Sequence, residues 1–336
     1  MKKIIKNIKS LSTILLVKEA LKRKIEVKHI NDYQDSMAFL DLSFKNHSEY
    51  IIGQSSSKTS AAAKYAVGNK FLAKNLLSKV KINVVKGKLF NKDNFDEIYQ
   101  FIEEIGYPIV IKPVDGAHGN LVFIGINNKE DCEIAAKKIF QKKELILVEK
   151  EFKGKEFRFI TTAKKVLSVT HRDPANVVGD GVHSIKELIN LKNKDPKRGD
   201  KTEKPLTKIK IDDVVKQNLR EKKINTDYVP AKNEKIYLRK ESNISTGGDS
   251  IDVTDFVHPE FKKIAVRAVK AIPGLAYAGV DLMTNKDISE KPNKNNYVIV
   301  ELNSSPGIDP QHFPYEGKSR NVAKGIIDIL FPETKE

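Results

Sequence analysis

The chain has 336 residues, of which 40% are hydrophobic, and it carries a formal net charge of +16. This length and apolar content allow one large core or two to three smaller ones, and they exclude a largely disordered chain. No stretch approaches the ~20 consecutive apolar residues of a membrane-spanning helix, and the single Cys132 cannot form an intrachain disulfide, so we expect a cytoplasmic protein with no membrane partner.

The positive charge is spread along the chain and is not concentrated in one segment. A basic field attracts nucleic acids, anionic membranes and acidic small molecules alike. The chain has no Trp and only 7% aromatic residues, which leaves few surfaces on which bases could stack. No recognised nucleic-acid-binding module accompanies the charge, so we expect no nucleic-acid partner.

The first segment, residues 1–80, mixes helical and strand patterns. Its basic start passes directly into an amphipathic stretch, which predicts a helix and not a signal peptide. A polar cluster at 57–60 resembles a helix N-cap. The predicted elements are a helix over 13–24, strands over 25–30, 37–44 and 49–52, and helices over 61–67 and 70–80.

The second segment, residues 81–152, alternates strand and helix patterns. Such alternation indicates a small α/β unit. The predicted elements are strands over 84–90, 109–113, 121–124 and 145–149, and helices over 95–104 and 131–140.

The third segment, residues 153–336, begins with two strand patterns over 155–162 and 165–171. A polar insertion over about 173–235 follows, and we expect it to be part helix and part loop. Within it, the composition of 193–205 is typical of a mobile surface loop.

A lysine and a glycine-bearing turn follow one another in the second segment. The apolar strand over 109–113 contains Lys112, and the polar stretch 115–120 follows it. Backbone N–H groups of such a turn could approach a polyphosphate, with the lysine as a point charge. The G-x-x-x-x-G-K-[ST] and G-x-G-x-x-G patterns are absent, so neither a P-loop nor a Rossmann site is predicted. An ordinary β-turn remains an alternative.

A second candidate feature is the kink between two strands at Gly154. A hinge of this kind can offer backbone donors and acceptors to an adenine ring, and Glu156 could accept hydrogen bonds from ribose hydroxyls.

Two short strand patterns near the end of the chain carry oxygen ligands. Asp281 lies on the first, and Glu301 and Asn303 lie on the second. Residues 301 and 303 point to the same face because side chains alternate along a strand. An adjacent strand carrying Asp281 would complete a plausible magnesium site next to a nucleotide. The alternative is a pair of edge strands with solvated acids.

These features together resemble the ATP-grasp superfamily, and more narrowly the ATP-grasp domains of cyanophycin synthetases and bifunctional glutathione synthetases. The narrower resemblance rests on four motifs: RDPANVVGDGVHSIKELI at 172–189, DPKRG at 195–199, KPLTKIKID at 204–212 and NISTGG at 243–248. It implies an α+β fold in which two α/β subdomains clasp ATP. We expect an N-terminal region over 1–80, a lid over 81–152 and a catalytic subdomain over 153–336. We expect neither the muramyl-ligase-like half of a cyanophycin synthetase nor the glutamate-cysteine ligase half of a bifunctional glutathione synthetase.

The resemblance also implies roles for individual residues. Lys70 and Lys112 would contact the phosphates, and Glu301 would bridge two Mg²⁺ ions, with Mn²⁺ as a substitute. The other ATP and metal residues would be Gly116, His118, Gly119 and Asn120 over the phosphates, Glu149 and Phe152 at adenine, Glu156 at ribose, and Asp281 and Asn303 at the metal. His118 could equally be a solvated turn residue.

The reaction implied by the resemblance forms an amide through an acylphosphate. Arginines would neutralise charge at the transferring group, with surface ion pairs as the alternative reading of each. The candidates are Arg158, Arg172 and Arg239 for catalysis, and Asn243, Ser245, Thr246, Gly247 and Gly248 for substrate.

The leading expectation is a ligase that adds an amino acid to an acidic amino acid or peptide, as a glutathione synthetase does. A cyanophycin-like acceptor and a non-catalytic ATP-binding regulator remain alternatives. We also expect a homo-oligomer.

Overall fold

The computed structural model describes residues 2–6, 8–30, 38–92, 95–116, 121–200 and 204–335. The predicted phosphate-loop residues His118, Gly119 and Asn120 lie outside these ranges. No helix in the described ranges is long and apolar enough to cross a membrane.

The N-terminal region pairs a helix with a four-stranded antiparallel sheet in the order β1-β2-β3-β4. Helix α2 begins after Ser10, whose hydroxyl accepts a hydrogen bond from the N–H of Thr13. The elements are α1 (Lys2–Ile5), α2 (Leu11–Lys22), β1 (Glu26–His29), β2 (Phe39–Phe44), β3 (His47–Ile52) and β4 (Ser55–Ser56).

Two capped helices connect this sheet to the next subdomain: α3 (Ala61–Gly68) and α4 (Lys70–Lys79). Ser60 caps α3, as the polar cluster at 57–60 predicts. Asn69 caps α4 by accepting from the N–H of Leu72, so the second helix starts at Lys70.

The second segment forms a four-stranded sheet in the order β5-β8-β6-β7, covered on one face by two helices. Its elements are β5 (Gly87–Asn91), α5 (Phe95–Ile105), β6 (Ile109–Pro113), β7 (Phe123–Ile126), α6 (Lys129–Phe140) and β8 (Leu145–Lys150). Cys132 is buried in this core, where it acts as a small apolar residue.

The third segment contains a five-stranded sheet in the order β15-β10-β9-β16-β17, with antiparallel neighbours throughout. One face packs on α3, α4 and α9 in the largest core of the described chain. Its elements are β9 (Lys155–Thr162), β10 (Val166–Asp173), β15 (Asp249–Asp252), α9 (Pro259–Lys270), β16 (Tyr277–Thr284), β17 (Tyr297–Asn303), α10 (Asp309–His312) and α11 (Val322–Leu330).

The insertion lies between β10 and β15 in the sequence and has a small hydrophobic core of its own. It contains β11 (Asn176–Val178), α7 (Ile185–Lys192), β12 (Arg198–Gly199), β13 (Leu206–Thr207), α8 (Asp213–Glu221) and β14 (Lys235–Tyr237). The strands pair as β11 with β14 and β12 with β13.

Two sequence expectations for the insertion are corrected. It contains short paired strands besides helix and loop. The mobile surface loop expected over 193–205 is wrong at Arg198 and Gly199, which are both buried. Arg198 is held inside the protein by its ion pair with Asp249.

Elsewhere the predicted elements are present with shifted ends. The strand expected over 84–90 begins only at Gly87, and Val84 makes an isolated bridge to Ile299. The strand expected over 121–124 is displaced to Phe123–Ile126, and the helix α1 was not predicted.

Candidate functional site

The strand register places three charged residues side by side on the five-stranded sheet. Asp281 of β16 lies directly opposite Arg158 of β9 on one side and Glu301 of β17 on the other. Directly opposed residues point to the same face of a sheet. The alternating residues Phe159 and Val280 point to the other face and enter the core. The sheet therefore presents one apolar and one charged face at this end.

Asp281 lies inside the sheet and is 2% exposed, so the alternative of two solvated edge strands does not hold for it. Its carboxylate forms a two-pronged ion pair with Arg158, including Nη2–Oδ2 at 2.7 Å. Arg172 Nη1 lies 3.3 Å from the same Oδ2. Burial raises the pKa of Asp281 to about 6, and both arginines oppose this shift.

Glu301 is surrounded by cations. Burial favours its neutral form, but Lys70, Arg158 and Lys112 outweigh that effect and lower the pKa of Glu301 to about 2. The Lys70 Nζ lies 3.8 Å from its carboxylate. Asn303 lies on the same face, as predicted, and donates to Glu301 at 3.1 Å. Glu301 is therefore ionised at neutral pH.

The donor set suits Mg²⁺ that is shared with a phosphate ligand. No group of three or more His, Cys, Asp and Glu residues arranged to hold a metal occurs in the described ranges. The site instead offers two carboxylates, Asp281 and Glu301, with the amide of Asn303. Mg²⁺ is commonly bound by one or two carboxylates and completes its shell with water and phosphate oxygens.

A buried charge cluster lies where β6 and β8 of the second segment meet α4. Glu149 of β8 accepts from Lys112 Nζ at 2.8 Å and also contacts Lys74 Nζ of α4. All three side chains are at most 6% exposed. Burial lowers the pKa of Lys112 to about 8, with Glu301 opposing the shift, and burial together with the nearby Lys112 lowers the pKa of Lys74.

Lys74 was missed by the sequence analysis. It lies four residues after Lys70 on α4, a spacing that puts both side chains on the same helix face. That spacing is the signal that could have identified it. In this structure, the Glu149 carboxylate is engaged by two lysines, whereas the resemblance implies a contact with adenine.

Lys70 connects α4 to the start of the glycine-bearing turn. Its Nζ donates to the carbonyl of Gly116 at 2.8 Å, and its backbone N–H donates to the carbonyl of Val114 at 3.1 Å. Lys70 thus contacts both Gly116 of the second segment and Glu301 of the charged sheet face.

The predicted hinge leads directly into the charged sheet face. Gly154 packs against the end of β16, where an added Cβ would lie 2.5 Å from the carbonyl oxygen of Thr284. Phe152 is half-buried just before it. Glu156 accepts from Arg172 Nη1 at 2.7 Å, so Glu156 and Asp281 share this arginine.

The NISTGG segment reaches the same arginine. Arg172 donates to the carbonyl of Ser242 at 3.1 Å and to Oδ1 of Asn243 at 2.8 Å. Behind Asn243, residues Ile244–Thr246 form a 3-10 turn that ends at Gly247 with φ 103°. Ser245 is exposed at this turn.

The third candidate arginine is placed differently. Arg239 pairs with Asp212 and with Glu241 at 2.9 Å, contacts within the insertion and the segment that follows β14. The structure thus brings together Arg158 and Arg172 at Asp281 and directs Arg239 to other partners.

Comparisons with known proteins agree on one superfamily. Residues 68–177 match the family "Phosphoribosylglycinamide synthetase, ATP-grasp (A) domain", and residues 231–330 match the "RimK-like ATP-grasp domain". The chain is 38% identical over 328 residues to the glutathione biosynthesis bifunctional protein of Clostridium perfringens, which covers 96% of this chain and 41% of that protein.

Two further relatives are also similar over nearly the whole chain. It is 37% identical over 322 residues to the cyanophycin synthetase of Trichormus variabilis, covering 96% of this chain and 35% of that protein. It superposes on the crystal structure of a bifunctional glutathione synthetase from Pasteurella multocida with a TM-score of 0.72 and 35% identity, covering 96% of this chain and 43% of the other. The chain thus spans less than half the length of these relatives. The matches confirm the resemblance and the α+β fold class: the chain is a member of the ATP-grasp superfamily and has the ATP-grasp fold.

Proposed function

We propose that the chain is an ADP-forming, ATP-dependent ligase that joins a carboxylate to an amine. The acceptor carboxylate belongs to an acidic amino acid or peptide, and the amine belongs to an amino acid, as in a glutathione synthetase. The observation that carries the proposal is the row Arg158, Asp281 and Glu301 across three strands, facing Lys70 and Lys112. Homology to ATP-grasp ligases over 96% of the chain supports it.

The reaction proceeds in two balanced steps. A carboxylate oxygen of the acceptor attacks the γ-phosphorus of ATP, and the bond to the bridging oxygen breaks to release ADP. The amine nitrogen then attacks the acyl carbon of the acylphosphate, the carbon–oxygen bond to phosphate breaks, and the amine proton passes to solvent. Little side-chain acid–base chemistry is needed, so positioning and charge neutralisation supply the catalysis.

The chain supplies cations on two sides of the transferring phosphoryl group. Lys70 and Lys112 contact the nucleotide phosphates from the lid side. Gly116, His118, Gly119 and Asn120 are the further residues proposed to contact the phosphates. Arg158 and Arg172 neutralise charge from the sheet side, since a guanidinium binds phosphate or carboxylate through two parallel hydrogen bonds. Arg239 has the weaker support, because its partners are Asp212 and Glu241.

The remaining assignments follow the ATP-grasp pattern. Phe152 and Glu149 lie at adenine, Glu156 at ribose, and the loop of Asn243, Ser245, Thr246, Gly247 and Gly248 at the substrates. Asp281, Glu301 and Asn303 would hold two Mg²⁺ ions, or Mn²⁺ in their place, which neutralise the charge of the phosphates.

The test measures ADP and phosphate release with ATP and Mg²⁺ across a matrix of acidic amino acids and γ-glutamyl peptides against amine donors, with product masses. We expect an amide product with one acceptor–amine pair, and turnover reduced by several orders of magnitude in Asp281→Ala and Glu301→Ala. Glu104→Ala, which removes an exposed acid paired with Lys86, is the matched control and retains activity. An amide product that persists in both site variants would contradict the assignment.

A cyanophycin-like activity is the second candidate because the identity to a cyanophycin synthetase is nearly the same as that to the bifunctional proteins. Including an aspartate-rich peptide in the acceptor set separates the two. A single mass increment on a γ-glutamyl dipeptide indicates the first activity, and amidated aspartates indicate the second. Binding of ATP without turnover across the whole matrix would favour a regulatory protein.

We further propose the subdomain division at residues 80 and 152, a homo-oligomeric assembly and a cytoplasmic location. Size-exclusion chromatography with light scattering tests the assembly, and a monomer mass of 37.9 kDa would contradict it.

A further inference from the structure

Arg198 lies in the insertion and is enclosed by protein. Its side chain is 0% exposed, although the surrounding sequence has the composition of a mobile loop. Burial of a guanidinium is costly unless its donors find partners. Its partners therefore indicate what the charge holds in place.

Two of those partners flank Gly248, the last residue of the NISTGG motif. Arg198 Nη1 donates to the carbonyl of Thr207 at 2.7 Å and to the carbonyl of Gly247 at 3.1 Å. Its Nη2 pairs with the carboxylate of Asp249, which Lys192 Nζ also contacts at 2.6 Å. The Arg198 guanidinium thus binds the residues immediately before and after Gly248.

The glycine pair is tightly seated in this position. Gly247 has φ 103°, and a Cβ there would lie 2.8 Å from Cγ1 of Ile209. The N–H of Gly248 donates to the carbonyl of Asn243 at 3.1 Å. Asn243 in turn accepts from Arg172, which lies beside Asp281. A short series of hydrogen bonds therefore joins Arg198 to the charged sheet face.

We propose that Arg198 is a positioning residue for the ligase reaction, which fixes the 243–248 loop in the shape that receives the substrates. This inference rests on the proposed function of that loop. An arginine is needed at this position because its planar guanidinium binds two carbonyls and a carboxylate at once. The ammonium group of a lysine does not reproduce this geometry. The insertion is accordingly the scaffold of the substrate loop.

The first experiment measures amide hydrogen exchange of residues 243–249 in the full chain. The variants are Arg198→Met, Arg198→Lys and the control Arg23→Met, which removes an enclosed arginine paired with Glu19 and Asp328 in the N-terminal region. We expect exchange roughly tenfold faster in both Arg198 variants, because hydrogen bonds to a charged group are lost. The control leaves exchange in this loop unchanged.

Two outcomes would overturn the inference: wild-type exchange of the loop in Arg198→Lys, or equally fast exchange in Arg23→Met. If Arg198→Met fails to fold, Arg198→Lys and Gly247→Ala decide the matter. Gly247→Ala displaces the same loop without removing a charge, and we expect it to reproduce the faster exchange.

Kinetics supply the second readout. The KM for the acceptor or amine rises roughly tenfold in Arg198→Lys, while the Kd for a magnesium complex of a non-hydrolysable ATP analogue is unchanged, because the lost hydrogen bonds lie in the substrate loop. A parallel loss of analogue binding would indicate a general structural role and sink the proposal. If the wild type shows no ligase turnover, the proposed function fails, and the exchange result still decides whether Arg198 holds the loop.

Discussion

At the residue scale, the least expected feature is the sharing of one buried carboxylate between two lysines. Glu149 lies between Lys74 and Lys112, and each partner comes from a different element. A buried ammonium without a counter-charge is strongly unfavourable, and Glu149 is the carboxylate that both lysines contact beside the proposed phosphate site. Gly87, directly opposite Glu149, makes room for this side chain, since a Cβ there would lie 2.7 Å from Cγ of Glu149.

Glu149→Gln should therefore destabilise the protein strongly. We expect a loss of roughly 3 kcal/mol or more in the free energy of unfolding, because removal of one partner leaves a buried charge uncompensated. Denaturant unfolding measures the change. Glu104→Gln, at an exposed pair with Lys86, is the control and should cost less than about 1 kcal/mol. Equal losses in the two variants would contradict this account of the cluster.

At the element scale, β9 decides the geometry of the site because it lies between β10 and β16 and carries Arg158. The chain enters β9 through Gly154, which touches the backbone at the end of β16. A side chain at this position would push the two strands apart just where the charged face begins. The sequence marked this glycine as a kink, and the structure shows the close approach that requires it.

Gly154→Ala is expected to cost about 1–3 kcal/mol in stability, because the added Cβ would lie 2.5 Å from the backbone carbonyl oxygen of Thr284 and the backbone would have to shift. A thermal or denaturant titration measures it. Gly68→Ala is the matched control, because a Cβ at Gly68, the last residue of α3, would meet no atom within 4 Å. That substitution should be neutral or stabilise the protein by up to about 1 kcal/mol. A neutral Gly154→Ala would show that the strands can separate freely.

At the scale of the whole molecule, the first and last segments share one core. Leu16 of α2 packs in the same cluster as Leu330 of α11 and Ile160 of β9. Arg23 pairs with Asp328 across the same junction at 2.8 Å. The N-terminal region is therefore packed on the large sheet through the C-terminal helix, and its stability depends on both ends of the chain.

His312 makes this junction sensitive to pH. Its Nε2 accepts from the N–H of Ala323 at the start of α11, which only the neutral imidazole can do. Burial lowers the pKa of His312 to about 4, from about 6.5 in an unfolded chain. The unfolded state therefore binds more protons between these values, so stability falls as the pH drops from about 6.5 to 4.

His312→Gln should remove part of this pH dependence. The wild type loses roughly 3 kcal/mol at most from this group over that range, and the variant loses less. Melting temperatures from pH 7 to 4.5 measure the difference in slope. His183 is the control: it is exposed, and the hydrogen bond that it donates to the Asp180 carboxylate raises its pKa, so His183→Gln should not reduce the loss of stability at acid pH. Identical slopes for wild type and His312→Gln would refute the assignment.

The sequence alone determined the local elements and part of the site. Caps such as Ser60 and the alternating strands around Asp281 and Glu301 are local signals, because hydrogen bonding and side-chain direction there depend on near neighbours. The motifs were sufficient to indicate the superfamily.

Only the tertiary structure decided how distant elements meet. Arg158 lies directly opposite Asp281 only because of the register in which β9 and β16 pair. The contact between Lys74 and Glu149 joins residues 75 positions apart in the sequence. The burial of Arg198 contradicts the expected surface loop at that residue, and the sequence could not show it because its partner Asp249 lies 51 positions away. The composition of a segment indicates its local conformational preference, whereas its burial and ion pairs depend on which distant residues the fold brings beside it.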